Sequence, residues 1–378
     1  MKRVGIITLF HNSLNYGGLL QAYALCRKIE KMGYNVEQIS YDAAAGYSIL
    51  HKIKQLFFKF IYVFLNLKNA GEEKKLRKGL AERKKKIRIF SERFISHSET
   101  TYTGKTINKA NDEYDIFVAG SDQIWSKYSP VYTLDFVSKD KRKISYAASI
   151  GKKNLDDETK RLFKKSLETF SNVSVREKEA VEIIEGFLSH KVSWVLDPTM
   201  LLLKEEWDEI CTERRIEYPY LFCYFLGSDI RLRELAKRYA EEKRLKIVCL
   251  PHLHSKLENN DVGFGDIQLY DVSPADFISL IKHAEVVFTD SFHASVFSGI
   301  YKKNFFVFDR VSAKGMNTRI YSLCELYQCE EHFCDNEERF SLEYIRNLDS
   351  IDYCYESEQF KKLKNISEEF LKNSLKED

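Results

Sequence analysis

The chain has 378 residues, 44% hydrophobic and 13% aromatic, which is enough for large cores and excludes both global disorder and a single small module. Its 59 Lys and Arg against 56 Asp and Glu leave a net charge of +3, too little for a chain-wide field that draws a protein onto a polyphosphate backbone, so no nucleic-acid partner is expected. Its 8 cysteines are spread unevenly from Cys26 to Cys354, unlike the dense framework of a small secreted domain, and reduced thiols in a cytoplasmic protein are expected.

The opening run, residues 1–10, lacks a long apolar region and a small-residue cleavage site and reads as a first strand rather than a signal peptide. Residues 4–9 are rich in β-formers, and Leu20, Tyr23, Ala24 and Ile29 then fall broadly at helical spacing within 17–31. Gly33 closes that helix and residues 35–41 alternate as a second strand, so a βαβ unit begins the chain.

From 49 to 94 the beat is interrupted by an inserted helical segment, apolar through Leu67 and basic from Lys68 to Arg93. Ile49, Ile53, Leu56, Phe57, Phe60, Phe64 and Leu67 fall near one helical face. Together with the basic run this offers a peripheral contact at the inner face of a membrane; the alternative is that the apolar face packs against the N-terminal domain and the charges face water. The longest apolar stretch, 56–67, includes Lys59 and is well short of the roughly 20 residues that a spanning helix needs.

Strands are next expected at 114–119, 143–149, 172–175 and 192–196, with helices over 156–170 and 177–187. A second series follows a charged segment: strands at 220–225, 246–250, 286–289 and 305–308, with helices at 229–242, 274–283 and 292–301. The chain is therefore expected to be α/β, with an N-terminal Rossmann-like domain over 1–205, a C-terminal one over 218–340 and a helical segment at 341–378. The two domains face across a cleft, where open parallel sheets bind ligands at the carboxyl ends of their strands.

Three strand ends carry polar residues suited to chemistry. After the first strand, Asn12-Ser13-Leu14-Asn15-Tyr16-Gly17-Gly18 opens a helix, placing backbone N–H groups toward an anion or a sugar, with two glycines allowing close approach. The run 115–119 ends in Gly120-Ser121-Asp122-Gln123, where Asp122 suits a sugar hydroxyl, Gln123 offers an amide and Trp125 a stacking face. The strand at 286–289 ends in Asp290-Ser291-Phe292-His293, with the histidine at a helix start. Arg176 and Arg319, just past strands or in loops, provide guanidinium forks for an anionic substrate. His252 and His254 fall short of a metal site, and Cys324, Cys329, His332 and Cys334 lack a two-pair zinc spacing, so no metal is expected.

In this order, Asn15-Tyr16-Gly17-Gly18-Leu19-Leu20-Gln21, Gly120-Ser121-Asp122-Gln123-Ile124-Trp125, Ser145-Tyr146-Ala147-Ala148-Ser149, Ser174-Val175-Arg176-Glu177, Leu196-Asp197-Pro198-Thr199 and Thr289-Asp290-Ser291-Phe292-His293 resemble the polysaccharide pyruvyl transferase family. The resemblance implies a glycosyltransferase-B-type fold. It also implies phosphoenolpyruvate as co-substrate with no resident cofactor, and a glycan or lipid-linked sugar as acceptor, in cell-surface polysaccharide synthesis. On that resemblance His293 is expected to transfer the proton and Asp122 to activate the hydroxyl. Arg176, Ser291, Arg319 and Lys314 are expected on the donor side, and Asn15, Tyr16, Gly17, Gly18, Gln21 and Gln123 on the acceptor side. The family's arginine two residues before the histidine is replaced here by Ser291, and Arg310, Lys314 or Arg319 stand near enough in sequence to supply its charge. Two other activities fit the same cleft: a nucleotide-sugar glycosyltransferase, and a non-catalytic glycan-binding component of the same pathway.

Overall fold

The structure, a computed structural model, describes residues 2–46, 70–251, 259–310, 318–348, 350–352 and 358–376. In the N-terminal half β1 (Arg3–Ile7) lies between β2 (Asn35–Gln38) and β3 (Ile116–Ala119), with β4 (Arg142–Ser145) beyond β3, all parallel. The parallel pair β5 (Val173–Val175) and β6 (Val192–Trp194) extends this layer through bridges from Ile144 to Asn172 and from Ala148 to Val175. In β3 every residue is buried, the unbroken apolar pattern of a parallel strand covered on both faces.

Helix α1 (Tyr16–Lys31) follows β1, and Asn15 caps it by accepting from the Gly17 and Gly18 amides at 3.0 and 3.4 Å. Twelve of its 16 residues are buried, so it lies inside the molecule rather than on its surface. The other helices of this half are α2 (Ala70–Phe94), α3 (Asp157–Leu167), α4 (Lys178–Glu185) and the short α5 (Lys204–Asp208).

The C-terminal half repeats the plan. Strand β7 (Tyr220–Tyr224) is central, with β8 (Lys246–Cys249) and β9 (Ile267–Gln268) on one side and β10 (Val286–Thr289), β11 (Asn304–Phe308) and β12 (Phe333–Cys334) on the other, all parallel. Its helices are α6 (Ile230–Lys243), α7 (Pro274–Lys282), α8 (Phe292–Ile300), α9 (Thr318–Tyr327), α10 (Leu342–Asn347) and α11 (Glu358–Leu375). Both sheets change winding direction beside their first strand, at β1/β3 and β7/β10. Such switch points leave a crevice beyond the strand ends.

Two helices tie the halves together. α11 returns to the N-terminal half, where Lys28 pairs with Glu368 at 2.6 Å and Ser367 Oγ accepts from the Leu196 amide at 2.9 Å. α2 packs Phe90 and Phe94 against Tyr23 of α1 and pairs Lys86 with Asp271 of the other half at 2.8 Å. The expected apolar face at 49–67 lies outside the described residues. In the described part of the insertion, Arg83, Ile87 and Phe90 turn inward while Lys84, Lys85 and Arg88 are exposed. Among the described residues no helix is long and apolar enough to cross a membrane.

Arg83 is 1% exposed; its Nη2 donates to the Leu14 carbonyl at 3.3 Å and its guanidinium lies 4.5 Å from the Tyr16 ring. Replacing it by methionine keeps much of the stem but removes both contacts. Arg83→Met is expected to cost about 1–3 kcal/mol of unfolding free energy, read from the denaturant midpoint. An unchanged midpoint would show that α2 does not brace this loop.

Candidate active site

The loops at the carboxyl ends of β1, β3, β5, β6 and β10 converge on Asp197. This residue follows β6, caps a single turn over Pro198–Met200 and is 1% exposed. Its Oδ1 accepts from the Thr199 amide at 3.0 Å and hydroxyl at 2.7 Å, and its Oδ2 from Ser121 Oγ at 3.0 Å and Arg176 Nη1 at 2.7 Å. Burial alone would raise its pKa, but His293, Arg176 and Thr199 together hold the carboxyl well below the usual carboxylate range. For Arg176 burial opposes the charge, yet Asp197, Glu177 and Asp122 outweigh it and raise its pKa.

His293 comes from the opposite half, in the first turn of α8, with Nε2 3.6 Å from Asp197 Oδ2. The other face of its ring lies against Gly17: a Cβ added there would stand 2.0 Å from His293 Nδ1. Across the same gap, Asp122 has its Oδ1 3.9 Å from Arg176 Nη2, and its Oδ2 would be 3.3 Å from a Cβ at Gly18. Asp122 holds φ at 75°, a left-handed conformation costly for a non-glycine residue and common where function fixes the backbone.

Phe292 places two cations at the site, with Arg176 Cζ 4.6 Å and Arg319 Cζ 5.8 Å from its ring centroid. Burial, and then Arg176, push Arg319 down to about 10 against the pull of Asp122 and Glu177. Several buried polar atoms here make no hydrogen bond to a described residue: Arg176 Nε and Nη2, Arg319 Nε, His293 Nε2 and Glu177 Oε2. Buried polar groups are ordinarily satisfied, so the open guanidinium donors of Arg176 and Arg319 suit an anionic, oxygen-rich ligand, whereas the Glu177 oxygen, an acceptor, does not.

The structure brings together Asp122, Arg176, His293, Arg319, Gly17 and Gly18. Ser291, 6% exposed, precedes α8 and its side chain makes no capping hydrogen bond. Asn15 uses its side-chain oxygen on the helix cap, and Gln21 donates to the Gly18 carbonyl at 2.8 Å, leaving its Oε1 unpartnered. Gln123 Nε2 lies beside Gly151, 2.3 Å from where a Cβ would stand. Lys314, His252 and His254 lie outside the described residues.

Three expectations need correction. Tyr16 does not face the cleft opening: it is fully buried between the halves, stacked on Phe277 at 5.0 Å, with its hydroxyl donating to the Val272 carbonyl at 3.0 Å. Trp125 offers no stacking face, because it is 0% exposed and its Nε1 donates to the Tyr132 carbonyl. Arg319 belongs to α9 rather than to a loop. Of the charges that could replace the missing arginine, Arg310 sits 3.6 Å from Asp290, whose carboxylate also accepts from the Leu226 and Gly227 amides at 2.6 and 2.8 Å. Arg310 therefore braces a loop, and Arg319 is left with its Nε open.

Three residues that lie in the family motifs but were assigned no role also belong to the site: Asp197, Ser121 and Glu177, whose Oε1 accepts from Ser149 Oγ. The signal was present for Asp197: an aspartate at the end of a strand, directly before a proline that starts a turn.

A model of the polysaccharide pyruvyl transferase family matches residues 15–312. No curated protein matches the chain. Among solved structures, it is similar to the Methanocaldococcus jannaschii UDP-GlcNAc 2-epimerase in complex with UDP-GlcNAc and UDP, at 14% identity and TM-score 0.53, over 97% of this chain and 98% of that one. It is similar to the S. aureus MnaA–UDP co-structure at 11% and 0.53, over 96% and 91%. For the Neisseria meningitidis UDP-GlcNAc 2-epimerase bound to UDP-GlcNAc the values are 9% and 0.50, over 99% of each chain. Likeness at such identities concerns the fold alone, two Rossmann-like domains of the glycosyltransferase-B type.

Proposed function

Because the chain belongs to the polysaccharide pyruvyl transferase family, we propose that it transfers pyruvate from phosphoenolpyruvate to a pair of glycan hydroxyls, forming a cyclic ketal and releasing phosphate. The observation that carries the reading is the pair of buried arginines flanking Phe292, each with an open Nε, beside a histidine that faces a buried carboxylate. A small molecule with a carboxylate and a phosphate, and a carbon that must be protonated, matches that set.

In this scheme Arg176 and Arg319 bind the donor's anionic groups. His293, in its protonated form and facing the Asp197 carboxylate, gives a proton to the methylene carbon, and the adjacent carbon becomes electrophilic. The first sugar hydroxyl attacks that carbon while Asp122 takes its proton. The carbon–oxygen bond to phosphate then breaks, the second hydroxyl closes the ring on the same carbon, and its proton leaves with the phosphate. The N-termini of α1 and α8 face this gap, and their backbone dipoles favour the negative charge that gathers there.

Arg319→Met separates donor binding from fold. Among the described residues Arg319 Nε has no hydrogen-bond partner, so at that atom the substitution leaves no acceptor unpaired. Phosphoenolpyruvate affinity by calorimetry is expected to fall about tenfold or more, since a hydrogen bond to a charged group is worth roughly 1.5–3 kcal/mol. The unfolding temperature is expected to stay level or rise, because the charge removed is one that burial and Arg176 disfavour more than Asp122 and Glu177 favour it. Tight binding of UDP by the parent protein, without binding of phosphoenolpyruvate, would instead favour a nucleotide-sugar reaction.

A further inference from the structure

We propose that the groove between the loop after β1 and helix α2 is a glycan subsite, holding the neutral sugar units of the acceptor beyond the one that receives pyruvate. The inference rests on the pyruvyl-transfer reading for what happens next door, but the groove is defined by its own geometry. It has a volume of about 680 Å³, within the roughly 300–1,000 Å³ of sites that enclose a small organic ligand. The chain that lines it at Phe10 and His11 runs directly on to Asn15 and Gly17. An acceptor whose hydroxyls reach the gap between Asp122 and His293 therefore has this groove beside it for the rest of its chain.

The lining has the chemistry of a sugar site. His11 and His97 are half-buried, each with the buried Phe10 ring edge-on to it, at 6.1 and 6.4 Å, and the two imidazoles give flat surfaces for the C–H faces of a pyranose. Burial holds His11 below the ordinary imidazole value, against an opposing pull from Asp42. At neutral pH a neutral ring presents one donor and one acceptor, as a hydroxyl does. The charges that line the groove balance, with Lys84 and Arg88 against Glu92 and Glu99, and Arg88 lies 3.6 Å from Glu92. A polyphosphate would meet carboxylates there, whereas a neutral polyol meets donors and acceptors of both kinds. One wall is the inserted helix α2, which lies outside the alternating strand–helix plan.

The test uses the full chain on a printed array of neutral and anionic oligosaccharides, without donor. Ser91→Trp places a bulky ring in the groove from α2, and His97→Ala removes one of its flat faces. The parent protein is expected to retain a subset of neutral oligosaccharides, and each variant to lose that signal at least tenfold. His97→Ala carries the test if the tryptophan variant does not fold. Retention of no glycan, retention of anionic glycans alone, or an undiminished signal in folded variants would each overturn the proposal. Calorimetry with phosphoenolpyruvate on the same preparations keeps the two readings apart. Donor binding with no groove-dependent glycan signal would sink the subsite alone, whereas a groove-dependent signal with no donor binding would sink the pyruvyl-transfer reading alone.

Discussion

His293→Gln is expected to slow ketal formation by roughly 10²–10⁴, the usual contribution of a positioned proton donor, with phosphoenolpyruvate affinity little changed. The amide retains polar atoms near the place of the ring but cannot deliver a proton to carbon. The measurement is phosphate release in a single turnover with saturating donor and acceptor. A variant that turns over at the parent rate would remove His293 from the chemistry.

Asp197 acts through its neighbours rather than on the substrate, and Asp197→Asn separates those roles. Arg176 donates 1 of the 4 hydrogen bonds that the carboxylate accepts, and loss of the charge takes from that buried guanidinium its closest counter-charge, at a cost of about 3–5 kcal/mol. The sign of the pH dependence follows from the depressed carboxyl. The stability it contributes is present above the unfolded value of about 3.9 and is lost as pH falls toward the folded one. The gap between parent and variant is thus expected to be full at neutral pH and to shrink below about pH 4. In activity, the variant should turn over more slowly and bind phosphoenolpyruvate less tightly, because Arg176 and His293 lose the carboxylate they face. Parent turnover and donor affinity with only lowered stability would make Asp197 purely structural.

Much of the fold was legible because the central strands are short, unbroken apolar runs between polar ends, at residues 116–119, 220–224 and 286–288, alternating with helical patterns. Strands β9 and β12, of 2 residues each, carry no periodicity and could not be read. The site was legible in type but not in direction. Tyr16, Trp125 and Asp122 all follow the carboxyl end of a strand, yet the first two turn into cores and only Asp122 faces the gap. Which side a residue faces is decided by packing against distant partners such as Phe277 for Tyr16 and Phe163 for Trp125. Arg83 shows the same limit, since a basic run suggests solvent and only the tertiary contact with Leu14 and Tyr16 draws one member inside.

Gly17→Ala tests whether the two halves must meet for catalysis. Considered within α1 alone the substitution is favourable, since alanine is preferred over glycine by about 1 kcal/mol inside a helix, and Gly17 is not among the residues with positive φ. Across the cleft it is not: the new methyl group would stand 2.0 Å from His293 Nδ1 and 2.4 Å from Cγ. The imidazole is backed by Asp197 at 3.6 Å, so it cannot retreat without leaving the carboxylate, and otherwise the halves must separate. Either movement displaces the proton donor by an ångström or more. Turnover is therefore expected to fall about 10²-fold, as displacement of a reacting group by that distance does, with helix content unchanged or slightly higher by circular dichroism. Gly18→Ala is the internal control, because its methyl group would lie 3.3 Å from Asp122 Oδ2, a contact that a shift of a few tenths of an ångström relieves. The glycine pair should thus divide into one position that closes the site and one that tolerates a side chain. Near-parent turnover in both variants would mean that His293 does not rest against α1 when the reaction occurs.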